Sequence, residues 1–247
     1  MANEPRISVV TATWNVECSL EQMIESLAAA SIENIKWVVQ DNCSTDATLR
    51  LLRDTVRKYP HIEIDLVSEP DCGVYDALNK AVARVVTEYY LVVGADDVLC
   101  PRSIDMYKDA IASDADLVTA RVRIRSRDVG PSRLPYFVTG QRRYISAHAV
   151  GVCIRVSLHD RFGYYDSTFR IAADQKFILS VIRGGASVRS EEFLAGVFSE
   201  SGLSGANKIE SLCESMLVKL GIGRQIVPSI LVFVVRLCLT VARGHRR

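Results

Sequence analysis

Two adjacent aspartates, Asp96 and Asp97, follow the apolar run Tyr89-Tyr90-Leu91-Val92-Val93 after only Gly94 and Ala95. Carboxylates this close repel one another, and the repulsion raises a pKa unless a cation lies between them. A hard divalent ion suits such a pair, because Mg²⁺-type ions take one or two carboxylates together with substrate phosphate oxygens. The competing reading is a solvated turn in which one aspartate caps the next segment. Further polar clusters punctuate the first half: Thr11 and Thr13, then Asp41, then Glu69 and Asp71. Each closes an apolar, β-branched run.

Those runs define the elements that must position the carboxylates. Residues 7–13, 36–40, 62–67 and 89–93 read as buried strands. Between them lie helical patterns at about 20–30, 47–59 and 74–86. Leu20, Met23, Ile24 and Leu27 share one face of the first, and Ser19 with Gln22 fits a capping box. The alternation β-α-β-α-β-α-β predicts an α/β fold with a mainly parallel sheet sandwiched by helices. Right-handed crossovers gather the strand carboxyl ends along one edge, where open α/β sheets bind ligands. The polar clusters fall at that edge.

The second half is less regular. A helix over about 102–113 leads to a strand over 115–125. There Arg121, Arg123, Arg125 and Arg127 alternate with other residues and would share one face, either solvated or turned toward phosphate. Residues 128–141 read as an irregular loop. His148 sits among small and apolar residues, and Asp174 opens a helix ending near Arg183. Short strands are expected over 187–198, a flexible polar loop over 199–205 and an amphipathic helix over 208–220. Residues 226–242 are strongly apolar, yet shorter than a bilayer span and interrupted by Arg236. A membrane-surface helix, a buried helix and a dimer seam all fit that segment.

Composition excludes several classes. The 247 residues carry a net charge of +1, which gives no global signal for nucleic acid. After Glu214 there is no acidic residue, whereas Lys219, Arg224, Arg236, Arg243, Arg246 and Arg247 are basic. Removing those six charges from +1 leaves −5 on the body, so the tail suits an anionic surface. Seven scattered cysteines without a CxxC pair argue against a disulfide framework and against a thiolate zinc site. No signal-peptide pattern precedes the first strand, so a cytoplasmic body is expected. Gly-x-Gly-x-x-Gly, the P-loop pattern and Gly-x-Ser-x-Gly are all absent.

Four stretches in order, Ile7–Asn15, Asp41–Thr48, Ser68–Lys80 and Gly94–Asp97, resemble the inverting GT-A glycosyltransferases of family two. The resemblance looks closest to bacterial exopolysaccharide enzymes of the colanic-acid type. It extends more loosely through Ser146–His148, Tyr165–Asp174 and Phe198–Ser204. It implies a Rossmann-like GT-A catalytic domain over 1–207, with a nucleotide-sugar half (about 1–100) and an acceptor half (about 101–207). Residues 208–247 would form a helical, apolar and basic extension. The resemblance also implies roles. Asp41 would read the nucleotide base, and Thr11 and Thr13 would line its pocket. Asp71 and Asp76 would flank the ribose and sugar phosphate. Asp96 and Asp97 would bind ribose hydroxyls and Mn²⁺ or Mg²⁺, with Asp97 the favoured metal contact. Asp174 would be the general base, and His148 its alternative.

The implied partners are a nucleotide-diphosphate sugar and a glycan or lipid-linked glycan acceptor, with a peripheral contact to the inner membrane through 222–247. Two departures stand out. Many relatives carry Asp where this chain has Gly94, and a Glu often stands where it has Ala173. They keep a catalytically silent scaffold open. A nucleotidyltransferase is the other alternative, but it would show a Gly-rich, basic loop after the first strand.

Overall fold

The computed structural model describes residues 6–199 and 207–244. Its first half follows the expected alternation: β1 (Ile7–Thr13), α1 (Glu17–Ala29), β2 (Ile35–Asp41), α2 (Thr48–Lys58), β3 (Ile62–Ser68), α3 (Val74–Val82) and β4 (Tyr89–Val92). The second half holds β5 (Val98–Leu99), α4 (Ser103–Ala110), β6 (Leu117–Ile124), β7 (Arg127–Val129), α5 (Tyr136–Thr139), β8 (Val152–Arg155), α6 (Leu158–Phe162), α7 (Ala173–Arg183) and β9 (Val188–Phe198). Two C-terminal helices follow, α8 (Lys208–Ile222) and α9 (Ile226–Gly244).

Among the described residues the strands form one sheet, in the order β3-β2-β1-β4-β8-β6-β9-β5, with β7 on β6. β1 to β4 pair in parallel, as the short βα connections require. β8 then joins β4 antiparallel. That reversal brings the segment preceding β8, which contains His148, to the carboxyl end of β4. Strand alternation splits the core. Val9, Trp37 and Val39 face α1 and α2, while Val10, Val38 and Tyr90 face α3 and α7.

Several local expectations are corrected. Ser19 and Gln22 form no capping box, because α1 begins at Glu17. Its leading amides are capped from the β2–α2 loop instead. Asn15 N donates to Ser44 Oγ at 2.9 Å, Val16 N to Thr48 Oγ1 at 2.9 Å and Glu17 N to Asp46 Oδ2 at 3.1 Å. In return, Thr45 N reaches Asn15 Oδ1 at 2.9 Å and Ala47 N reaches Glu17 Oε2 at 2.7 Å. The two loops therefore lock the carboxyl ends of β1 and β2 together.

The four arginines do not share a face. The chain turns at Arg125 (φ 57°), and β7 folds back with Arg127 opposite Ile124. Arg123 forks onto Asp128 at 2.7 and 3.0 Å, and Arg121 reaches Glu192 at 3.3 Å. Residues 128–141 contain β7 and α5 rather than pure loop, and 188–198 form one 11-residue strand. The polar loop expected over 199–205 lies, apart from Ser199, outside the described residues.

The C-terminal helices pack on α5 and α7. Glu214 of α8 accepts the amides of Arg170, Ile171 and Ala172 at 2.9, 2.8 and 2.8 Å. This carboxylate caps the N-terminus of α7, where amides are orphaned and negative charge is favoured. Asp174 is thus held in place from residue 214. α9 packs on α8 and α5. No helix among the described residues is long and apolar enough to cross a membrane.

Candidate active site

Thr11, Thr13 and Asp41 lie where the sequence placed them, at the carboxyl ends of β1 and β2, but they point inward. Thr13 and Asp41 are register partners, and both side chains face the α1 and α2 side of the sheet. Thr11 is fully buried and accepts Trp37 Nε1 at 2.9 Å. Asp41, equally buried, accepts four donors: Thr13 Oγ1 at 2.9 Å, Ser44 Oγ at 2.5 Å, Ser44 N at 2.9 Å and Ser68 Oγ at 2.6 Å. A carboxylate offers about four acceptor positions, so this one has none left for a nucleobase. Thr11, Thr13 and Asp41 therefore spend these polar atoms within the fold rather than toward a ligand.

What the same edge exposes is different. Trp14 is 65% exposed directly after β1. Asn42 N bonds Thr13 O at 2.9 Å, and Asn42 Oδ1 accepts Asp71 N at 3.0 Å. Sequence reasoning missed both residues; their signal was position one step beyond each strand, where alternation no longer buries a side chain. Asp71 turns its own carboxylate onto Gly73 N at 2.8 Å, and burial, more than nearby Asp76, raises its pKa. Asp76 accepts Cys72 N at 2.9 Å and lies 3.6 Å from Lys80 Nζ. Both aspartates brace the β3–α3 loop beside Asn42.

Asp97 is 2% exposed, and its oxygens accept Gly94 N at 2.8 Å and Ser199 N at 2.9 Å. Burial lifts its pKa to about 6, against the two amide bonds, and Asp96 adds repulsion. Asp97 is therefore a clamp between the β4–β5 loop and the end of β9, and with one donor on each oxygen it keeps a lone pair on each. Asp96 is half-buried. A Cβ on Gly94 would lie 2.8 Å from Asp97 Oδ2 and 3.1 Å from Asp96 Oδ1, so both carboxylates converge on the space glycine leaves. This explains the departure at 94: Asp97 occupies the room that another carboxylate would need.

A divalent ion is implied by the resemblance. Among the described residues no three His, Cys, Asp or Glu side chains converge on a point. The donor set fits an ion only when phosphate oxygens complete the shell, with Asp96 and Asp97 as the residues that would hold it.

On the opposite wall, Gln141 Nε2 donates to Asp174 Oδ2 at 2.8 Å, and the single hydroxyl proton of Tyr75 is shared between Asp174 Oδ1 at 2.9 Å and Ile171 O at 2.7 Å. His148 belongs to a chain of polar groups. Its Nε2 lies 2.8 Å from Tyr165 Oη, which is 2.6 Å from Tyr90 Oη; that in turn is 2.8 Å from His159 Nε2, and His159 Nδ1 is 3.1 Å from Gly163 O. The far end fixes the direction. A carbonyl only accepts, so His159 Nδ1 carries the proton. Burial lowers the His159 pKa to about 4, so its Nε2 is a bare acceptor for Tyr90. Tyr165 then donates to Tyr90, and His148 Nε2–H donates to Tyr165. Burial also lowers the His148 pKa, opposed by Asp174. The remaining lone pair of a neutral His148 is on Nδ1.

Residues 8–183 match the family model described as Glycosyl transferase family 2. The chain belongs to that family. The transferase is 26% identical to EpsE of Bacillus subtilis over 105 residues, 42% of this chain and 38% of that protein. It is also 26% identical to the chondroitin synthase of Escherichia coli over 125 residues, 50% of this chain and 18% of the synthase. It therefore spans well under half the length of these two relatives. The mannosyltransferase PcManGT from Pyrobaculum calidifontis, solved with GDP-Man and Mn²⁺, superposes with a TM-score of 0.69 at 17% identity, over 96% of this chain and 75% of its own. The transferase has the GT-A fold, as its sequence implied.

Proposed function

We propose that the chain is a metal-dependent, inverting glycosyltransferase that moves a sugar from a nucleotide-diphosphate sugar to a glycan hydroxyl during polysaccharide assembly. The acceptor is lipid-linked, at the cytoplasmic face of the inner membrane. One observation carries the reading: Asp174 is held by Gln141 and by the shared hydroxyl of Tyr75, both neutral, on the side of the sheet edge that also presents Asp96. The nucleotide-sugar and metal parts draw support from the PcManGT complex with GDP-Man and Mn²⁺.

In this reading Trp14 offers its exposed ring to the base, and Asn42 lies beside it. A divalent ion held by Asp96, Asp97 and the donor's phosphate oxygens would neutralise charge on the departing diphosphate. Each Asp174 oxygen keeps a lone pair after binding Tyr75 and Gln141. Asp174 takes the acceptor's hydroxyl proton as the oxygen attacks the anomeric carbon. The bond to the diphosphate breaks with its electron pair leaving on phosphate oxygen. A single displacement of this kind inverts the anomeric centre. His148, whose Nε2–H is committed to Tyr165, offers only Nδ1 to such chemistry.

The test is a thermal-shift panel of UDP-, GDP- and TDP-sugars with and without Mn²⁺, followed by transfer assays. A ligand that binds only the native state raises the melting point by mass action. Asp174→Asn is expected to keep the donor-induced shift and lose transfer by about 10²–10⁴-fold. Asp96→Asn is expected to lose the Mn²⁺-dependent part of the shift. Transfer at the normal rate by Asp174→Asn, or an unchanged Mn²⁺ response in Asp96→Asn, would refute the assignment.

A further inference from the structure

A second cavity, of about 390 Å³, lies away from the cleft, at the junction of α5, α7, α8 and α9. Its walls are apolar where Tyr144, Leu179 and Ile182 line it, and cationic where Arg183 and Arg224 do. Tyr136 also lines it. That residue is 7% exposed, yet its hydroxyl is buried without a hydrogen-bond partner among the described residues. An orphaned buried hydroxyl is costly, and it marks a place where a ligand atom restores the missing bond. Arg183 spends one N–H on Ile222 O. Neither guanidinium meets a carboxylate among the described residues. Both stand close enough to Tyr136 to oppose the rise that burial gives its pKa.

Two unneutralised guanidinium forks and one hydroxyl donor suit the oxygens of a phosphate. The apolar walls suit a hydrocarbon chain attached to it. The surroundings extend the same chemistry. Two residues beyond Arg224, α9 begins a face on which Ile226, Val227, Ile230, Leu231, Val234 and Val235 are 39–69% exposed. The chain carries no acidic residue after Glu214.

We propose that the cavity bounded by Tyr136, Arg183 and Arg224 binds a phosphate or diphosphate ester of an apolar chain, with the chain continuing along the outer face of α9 into a lipid surface. The site is distinct from the donor cleft. Arg183 is nine residues after Asp174 on α7, about 13 Å along the axis. A short glycan on such an ester would bridge that distance. The identification of the ester as the acceptor's anchor rests on the transfer reading above; the binding site does not.

The test uses the purified full chain and calorimetric titration with decyl phosphate below its micellar concentration, with decyl glucoside and inorganic pyrophosphate as controls. Decyl phosphate is expected to bind and to raise the melting temperature. The double variant Arg183→Gln/Arg224→Gln is expected to bind it at least about tenfold more weakly, as loss of charge-assisted bonds implies. Tyr136→Phe, which keeps the ring, is expected to weaken it several-fold with the unliganded melting temperature retained. UDP binding is expected to be unchanged in both variants. Phosphatidylcholine vesicles containing phosphatidic acid are expected to retain the wild type and to release the double variant. Equal binding of pyrophosphate identifies a free-phosphate site and overturns the proposal. Equal binding of decyl glucoside, or wild-type affinity in the double variant, overturns it too. A chain that binds decyl phosphate but transfers no sugar leaves this site standing and sinks the transferase reading instead.

Discussion

Acid should destabilise this fold through His159. The imidazole is 5% exposed, stacked 4.4 Å from Phe177, and hydrogen-bonded as an acceptor by Tyr90. Burial first, then repulsion from His148, lowers its folded pKa to about 4, against the opposing pull of Gly163 O and Asp160. In the unfolded chain the pKa is the ordinary value near 6.5. Between those values the unfolded state binds the additional proton. Stability from this group is therefore complete above pH 6.5 and drains away as pH falls toward 4. A difference of about 2.5 units corresponds to about 3 kcal/mol. Asp97 runs the opposite way. Its folded pKa of about 6 exceeds the ordinary aspartate value of 3.8, so its burial penalty is relieved over the same interval. The contribution of His159 is therefore read by difference rather than from the wild-type curve alone. Urea denaturation of wild type and His159→Gln, from neutral pH down to pH 4, provides that difference. The variant is expected to be about 2 kcal/mol less stable at neutral pH, as a disrupted buried bond network usually is. On acidification the difference should shift by about 3 kcal/mol in the variant's favour, leaving it about 1 kcal/mol the more stable at pH 4. Parallel curves for the two proteins would show that His159 does not titrate as the packing requires.

Three other outcomes follow from the same geometry. Tyr90→Phe removes the hydroxyl between Tyr165 and His159 and should cost about 2–4 kcal/mol, because two buried partners lose a bond. In that variant ¹⁵N NMR should find His148 as a tautomer mixture, where the wild type shows Nε2–H alone; identical imidazole shifts would remove the relay. Gly94→Asp drives its Cβ to 2.8 Å from Asp97 Oδ2. Calorimetry should register a loss of about 1–3 kcal/mol from overpacking, and a melting point at or above wild type would contradict the account of residue 94. Asp41→Asn sets an amide donor against the hydroxyls and amide that now converge on the carboxylate. It should cost about 1–3 kcal/mol and leave the ranking of UDP-, GDP- and TDP-sugars unchanged. A changed ranking with unchanged stability would return Asp41 to base reading.

The departures at Gly94 and Ala173 have different structural meanings. At 94, Asp97 already fills the space above the backbone, so glycine is what the loop accommodates. At 173 the residue is fully buried in the first turn of α7. The negative charge at that helix terminus comes instead from Glu214, whose oxygens take three leading amides. A segment that the sequence separates from the catalytic half thus takes part in holding Asp174.

By itself the sequence determined the alternation of the first half, because β-branched runs and amphipathic stripes each have one period that buries them. It also determined that Asp41, Asp71 and Asp96-Asp97 gather at one sheet edge, since short right-handed crossovers leave no other arrangement. Side-chain direction at that edge was decided by the tertiary structure. Whether a terminal residue such as Asp41 faces a covering helix or open space depends on register, and its four donors come from residues 13, 44 and 68. The same holds for Asp97, whose second amide partner is 102 residues away. The polar chain from His148 to His159 is assembled from β4, α6 and the segments preceding β8 and α7, and no spacing in one dimension encodes it. Local periodicity fixes what is strand and what is helix; which carboxylates are consumed by the fold and which remain for chemistry depends on groups that only packing brings together.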